Sequence, residues 1–285
     1  MKFFYKERYT SYILRNFLNG TAFLEKKQPK YKICVLSDDL IGRSFAVTGA
    51  YEEAGVAAVE WLCDQGRIQD SYNRTFVDVG ANIGTYSLAL SARFKTVLAF
   101  EPHPVVNQVL SLNKVINGFD NLNIQPYGLS NIDTEAKLYE PAKNIGGSSL
   151  EYQGSGPNYT VKIKHASTAI NQLKSSKVSF IKMDVEGHEL MVMQGLKELL
   201  IEDQPVVAFE ANNLDRNQQL LEFMKSAGYV EFLALDTKPS IKNPILRVLL
   251  LTIIGARYQL KSFQHLNTHK YSLVFAIPHS KSTGV

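Results

Sequence analysis

Apolar and polar positions alternate along this chain with two different periods. From Thr75 onward, short runs of β-branched, aliphatic and aromatic residues recur, at Thr75–Val79, Thr96–Phe100, Leu122–Tyr127, Ser179–Met183, Val206–Phe209, Val230–Leu235 and Leu273–Ile277. These runs are nearly continuous, as expected of strands covered on both faces. Between them, apolar residues return at three- and four-residue spacing, which predicts helices at Thr85–Ala92, Val105–Asn117, Leu190–Leu200 and Asp215–Ala227. Pro102 and Pro104 stand where a helix begins, and Gly118 and Gly228 where helices end. Strands alternating with helices predict an α/β fold, a mostly parallel sheet with helices on both faces.

The pattern is different before Thr75. Tyr9–Leu18 carries apolar residues at helical spacing and predicts a helix on the domain's flank; an interfacial helix at a membrane is the sharper alternative. Tyr31–Leu36 reads as a short strand, Ser37–Gly42 as a loop, and Tyr51–Gly66 as a helix with Trp61 and Leu62 in the core. Residues 1–70 are therefore expected to form an N-terminal cap on a domain spanning 71–285. Two stretches break the later alternation. Residues 131–178 form a long glycine-bearing segment, in which Ala136–Tyr139 and Tyr159–Lys164 alternate as a hairpin or extra strand pair would. Asn243–Leu260 holds an apolar run broken by Arg247 and too short for a bilayer, which needs roughly 20 residues. A buried or lid helix is expected there, with an oligomer face or a membrane-surface patch as alternatives.

The chemistry gathers at Thr75–Ser87, Thr-Phe-Val-Asp-Val-Gly-Ala-Asn-Ile-Gly-Thr-Tyr-Ser. A buried strand carrying one charge, Asp78, ends in a turn on Gly80 and Gly84 and feeds a helix. Glycines allow close backbone approach, and a helix start offers unpaired N–H groups. The next strand ends in Glu101, 21 residues after Gly80, where an acid can accept hydrogen bonds from ribose hydroxyls. A dinucleotide site wants glycine in the middle of this loop, against a pyrophosphate. Here the middle is Asn82, with Asp78 nearby. Carboxylates and an amide suit a ligand bearing ammonium and hydroxyl groups, so S-adenosylmethionine fits better than NAD.

The motifs Val-Asp-Val-Gly-Ala-Asn-Ile-Gly-Thr-Tyr-Ser, Ala-Phe-Glu-Pro-His-Pro and Phe-Ile-Lys-Met-Asp-Val-Glu-Gly-His-Glu resemble the FkbM family of S-adenosylmethionine-dependent methyltransferases, over about Thr75 to Asn212. The resemblance implies a class I methyltransferase (Rossmann-like) fold of seven strands with the last antiparallel. It also implies methylation of a hydroxyl on a sugar, glycolipid or secondary metabolite. Cofactor contacts are expected from Asp78, Gly80, Asn82, Gly84 and Glu101. Ser130 joins them because this fold usually seats adenine near the end of the third strand. His103 is expected to be an exposed loop histidine. One departure is Ser-Thr-Ala-Ile-Asn-Gln-Leu at 167–173, where the family has a threonine-leucine-acidic-acidic stretch. The chain also lacks an Asp/Asn-Pro-Pro-aromatic tetrapeptide, which in this fold accompanies methylation of amino nitrogens.

Methyl transfer from a sulfonium requires the protein to align an acceptor, exclude water and remove a proton. Asp184 follows an apolar strand and lies at its carboxyl end, with Glu186, His188 and Glu189 just beyond; Glu210 and Asn212 end the neighbouring strand. Asp184 is the expected acid, with His188 and Glu186 as further catalytic candidates and Glu189 as a helix-start acid. Either His188 or Asp184 takes the proton without a metal, or Asp184, Glu210 and Asn212 hold Mg²⁺, which lowers the acceptor's pKa.

Composition changes this picture little. The 285 residues are 45% hydrophobic and 20% charged, with a net charge of +4. The basic residues are scattered, which argues against a nucleic-acid partner. Cys34 and Cys63 lack metal-ligand spacing, and the first residues show no secretory signal, so a cytoplasmic protein is expected. The expected partner is a small-molecule or glycan acceptor, with membrane-surface contact and a homo-oligomer left open. Two other functions compete: a nicotinamide-dependent oxidoreductase, and a non-catalytic nucleoside-binding scaffold that uses 243–260 to reach a membrane or partner.

Overall fold

The computed structural model describes residues 31–37, 39–48, 51–141, 144–151, 156–211, 214–238, 257–263 and 271–279. The helices expected at Tyr9–Leu18 and across 243–256, and Asn212, lie outside these residues. The strands are β1 Thr75–Val79, β2 Thr96–Phe100, β3 Leu122–Gln125, β4 Gly128–Ser130, β5 Thr134–Tyr139, β6 Asn158–His165, β7 Val178–Met183, β8 Val206–Ala211, β9 Tyr229–Lys238, β10 Arg257–Phe263 and β11 Tyr271–Pro278. The helices are α1 Leu40–Thr48, α2 Glu53–Asp64, α3 Thr85–Leu90, α4 Pro104–Asn117, α5 Ala166–Leu173, α6 Glu189–Gly195, α7 Lys197–Asp203 and α8 Leu214–Ser226.

Among the described residues the main sheet has eight strands, in the order β10-β9-β11-β8-β7-β1-β2-β3. Neighbours among β3, β2, β1, β7 and β8 pair parallel, while β11 runs antiparallel to both β8 and β9. Seven of these strands are the expected class I set. The eighth, β10, adds antiparallel to β9 at the edge. It spans Arg257–Phe263 and so takes in 257–260, the end of the segment read as a helix. The apolar run upstream dominates that reading, whereas Arg257, Gln259, Lys261 and Ser262 make this a polar edge strand.

Both faces of β1 and β7 are buried. Phe76, Phe180, Val206 and Ala208 pack on one face against α2 and α3, with Phe76 and Phe180 stacked 5.0 Å apart. Val77, Ile181, Met183 and Phe209 pack on the other face against α5, α6, α7 and α8. The expected strand pair in 131–178 exists as β5 antiparallel to β6, with β4 parallel to β6 completing a second, three-stranded sheet.

Several local expectations are corrected. Residues 32–36 form no strand: the side-chain amides of Asn113 and Asn117 on α4 take the backbone groups of Cys34 and Lys32 instead, at 2.6–3.0 Å. The loop expected at Ser37–Gly42 turns into α1 at Leu40, just after Asp39 accepts the Ile41 N–H. Trp61 is exposed, because Ala58, Val59 and Leu62 make the inner face of α2. The helix expected over Leu190–Leu200 breaks at Leu196 into α6 and α7. There the Gly195 backbone comes so close to the Ser130 carbonyl that a Cβ would stand 2.1 Å from it.

Candidate active site

The carboxyl ends of β1, β2, β7 and β8 meet at one crevice, where open α/β sheets bind ligands. Asp78 is buried at the end of β1 and accepts Ser87 Oγ at 2.6 Å from the first turn of α3. Burial raises its carboxyl to about 6, against the pull of the Lys182 ammonium. Gly80 has φ +75, and a Cβ there would lie 1.8 Å from the Asp184 carbonyl oxygen. Its glycine thus serves the meeting of β1 and β7: the Asp184 N–H donates to Val79 O at 2.9 Å, and Gly80 N–H to Phe100 O at 3.0 Å. Gly84, at φ +99, caps α3, and a side chain there would strike Leu110.

Glu101 receives two backbone donors, Asn82 N–H at 2.9 Å on Oε2 and His103 N–H at 2.8 Å on Oε1. Burial nonetheless raises it to about 7. Each oxygen keeps acceptor capacity toward the cleft. That cleft, about 670 Å³ of open space, is floored by Gly80, Asn82 and Glu101, walled by Gly128 and Leu129, and bordered by Asp184, Glu186 and His188. Residues of 145–150 roof it.

Beside the cleft lies a set of acids. Parallel register places Lys182 abreast of Asp78 on one side and Ala208 on the other, so Asp78, Lys182, Asp184 and Glu210 project from the same face. Glu52, at the N-terminus of α2, completes the group: one carboxylate oxygen each from Glu52, Asp184 and Glu210 lies within 4.8 Å of the others. Burial and mutual repulsion raise Glu210 to about 8 and Glu186 to about 7, and burial raises Glu52. Lys182, itself buried, places Nζ 3.2 Å from Asp184 Oδ2 and 4.9 Å from the centre of the Tyr86 ring. Asp184, Glu52, Tyr86 and Asp78 hold it firmly protonated.

Carboxylates are the right donors for a hard cation. Here, however, the ammonium of Lys182 already sits on Asp184 and supplies the positive charge. Of the residues read as a Mg²⁺ site, Asp184 and Glu210 come together, with Glu52 as a third carboxylate beside them, while Asn212 lies outside the described residues.

A family model, the methyltransferase FkbM domain, matches residues 78–231, the stretch that contains this crevice. The chain belongs to the FkbM methyltransferase family. It is 29% identical to "Methyltransferase sdnD" of Sordaria araneosa, over 44% of this chain and 61% of that protein. It is 30% identical to "Hexuronic acid methyltransferase AglP" of Haloferax volcanii, over 43% of this chain and 50% of that protein. The chain thus spans 50–61% of the length of these curated relatives. Among solved structures, the METTL16 methyltransferase domain shares the fold at a TM-score of 0.50 and 10% identity, covering 92% of this chain and 78% of that one.

Within this FkbM domain, Gly80, Asn82, Glu101, Asp184, Glu186 and His188 all border one cleft. Asp78 and Gly84 stand behind its floor. Ser130 is buried and turned to His188, with Oγ 3.0 Å from Nε2, while its neighbours Gly128 and Leu129 face the cleft. His103 is the reverse of the exposed residue expected: it is buried as the N-cap of α4, its Nδ1 accepting Val106 N–H and its Nε2 3.2 Å from Glu140. Glu189 is the first-turn acid expected, accepting Gly187 N–H at 3.1 Å. Sequence reading misses Lys182, Glu52 and Glu151. Lys182 left a signal, a cation inside an apolar strand two residues before Asp184 and so on the same face. Glu52 and Glu151 left none: Glu52 opens a helix whose period says nothing of what its first residue faces, and Glu151 comes from a segment without strong periodicity.

Proposed function

We propose that this protein transfers the methyl group of S-adenosylmethionine to a hydroxyl of a small-molecule or glycan acceptor. The observation that carries the reading is the single cleft shared by the glycine turn, Glu101 and Asp184. Glu101 and Asn82, on the cleft floor, would take the ribose, and Gly128 and Leu129 offer a wall for the base, while Asp78, buried behind that floor, would act only through the residues in front of it. The bound cofactor supplies an electrophilic methyl on a positively charged sulfur.

The chain's own residues do the rest. Asp184, held by Lys182, would orient the acceptor hydroxyl, and the Asp184–Glu210 pair would take the proton that the hydroxyl gives up on methylation. A carboxyl raised to about 8 is well matched to that task near neutral pH. Glu186 borders the same space. Oxygen is the favoured acceptor because Asp184-Val185-Glu186-Gly187 follows β7 in place of an amide- or acid-Pro-Pro-aromatic sequence. A hexuronic acid methyltransferase among the relatives supports a sugar. Among the described residues no helix is long and apolar enough to cross a membrane.

The test is mass spectrometry of extracts from a producing cell, incubated with the protein and a methyl-labelled donor. A labelled methyl ether that disappears with Asp184→Asn is the expected result. Label on nitrogen, or binding of NAD(H) in preference to S-adenosylmethionine, would overturn it.

A further inference from the structure

The segment from Asn144 to Glu151 crosses the mouth of the cleft, with Ile145, Gly146, Ser148 and Leu150 on its inner side. Its C-terminal end is stitched to β5 by paired backbone bonds between Tyr139 and Ser149, both 3.0 Å. Side chains hold that same end from the other side. Ser149 Oγ donates to Glu186 O at 2.8 Å. Glu151 Oε1 lies 3.1 Å from His188 Nδ1, and Oε2 accepts Arg216 Nη2 at 3.3 Å. Arg216 also donates through Nη1 to Gly187 O. Three elements thus converge on one carboxylate: the strap, the turn after β7, and α8.

That carboxylate also decides the state of His188. An ionised carboxylate only accepts, so Nδ1 of the neutral imidazole carries the proton, and Nε2 is left as the acceptor facing Ser130 Oγ at 3.0 Å. The His188 bond and Arg216 both hold Glu151 below the usual carboxylate range, which keeps it ionised.

We propose that Glu151 is a positioning residue for the cleft, clasping the 144–151 strap over bound cofactor through His188 and Arg216 and fixing the His188 tautomer. The identity of the molecule beneath the strap rests on the methyltransferase reading; the clasp itself does not. Glu151 is substantially exposed, and exposed ion pairs add little to global stability. Its bonds instead bias a local opening of one wall, the kind of equilibrium that sets residence time.

The experiment has two arms on the full chain, with Glu151→Leu, Glu151→Gln and Arg216→Met. In the cofactor-free protein, amide exchange across 144–151 is expected to rise about tenfold in Glu151→Leu and Arg216→Met, with the melting temperature nearly unchanged. Glu151→Gln, which still accepts from His188, falls between. In the second arm, S-adenosylmethionine dissociates about tenfold faster from the same two variants. Nitrogen-15 spectra show His188 losing its Nδ1–H preference in Glu151→Leu. Unchanged exchange in 144–151, or unchanged dissociation with cofactor bound, overturns the clasp. If the unmodified protein binds no S-adenosylmethionine, the methyltransferase reading fails, while the exchange arm still decides the clasp.

Discussion

Lys182 and Asp184 form an ion pair 3.2 Å long on one face of β7, at the point where the sheet meets the crevice. A buried ammonium persists only when carboxylates surround it, and truncating one partner strands the others. Lys182→Met leaves Asp184, Asp78 and Glu52 without their cation. We expect it to cost about 3–5 kcal/mol of stability, read by urea denaturation. A variant as stable as the unmodified protein would refute the role of Lys182 as the counter-charge of the cluster.

Gly80 admits no side chain. At φ +75, with a Cβ position 1.8 Å from the Asp184 carbonyl oxygen, Gly80→Ala must push β7 away from β1. Left-handed strain alone costs about 1–3 kcal/mol. Both the urea midpoint and the calorimetric affinity for S-adenosylmethionine should fall. Retention of either at its original value would show that the two strand ends tolerate separation.

The cofactor-free protein should lose stability as pH rises from about 5 to about 8. Asp78 is raised to about 6, Glu101 to about 7, Glu186 to about 7 and Glu210 to about 8, in each case chiefly by burial. Between the unfolded and folded values the native state holds more protons than the unfolded one, so stability is greatest below the unfolded pKa and declines as pH passes through the folded value. Glu101→Gln mimics the protonated form and should flatten the decline between about pH 5 and pH 7. Melting temperatures across that range decide the point; a rise with pH would contradict it.

Asp184→Asn keeps the shape of the crevice floor and removes a proton acceptor. General-base losses of about 10²–10⁴ in turnover are expected, with cofactor affinity changed by only a few-fold. Turnover near the original value would move the base to Glu210 alone, and Glu210→Gln would then carry the loss.

Much of the fold was legible because its signals are local. The strands β1 and β2 carry continuous apolar runs with sharp ends, and their bounds match the expected ones residue for residue. Gly80, Asn82 and Glu101 announced themselves by spacing around those ends. The failures share a different cause. Residues 32–36 look like a strand, but their backbone partners are Asn113 and Asn117, about eighty positions away. His103 looks like a polar loop residue, yet tertiary contacts with Glu140 and Tyr159 bury it. Lys182 reads as an interruption in an apolar run until its carboxylate partners are placed around it.

The order of residues by itself determined the central strands β1, β2, β7 and β8, and that Asp78, Glu101, Asp184 and Glu210 stand at their carboxyl ends, since period and turn chemistry act over a few residues. Only the tertiary structure decided what those ends face. Parallel register set Lys182 among the acids, the N-terminus of α2 delivered Glu52, and the strap brought Glu151 to His188. Contacts between segments far apart in the chain leave no periodic trace, because they are fixed by packing and charge in the assembled fold rather than by the neighbours of each residue.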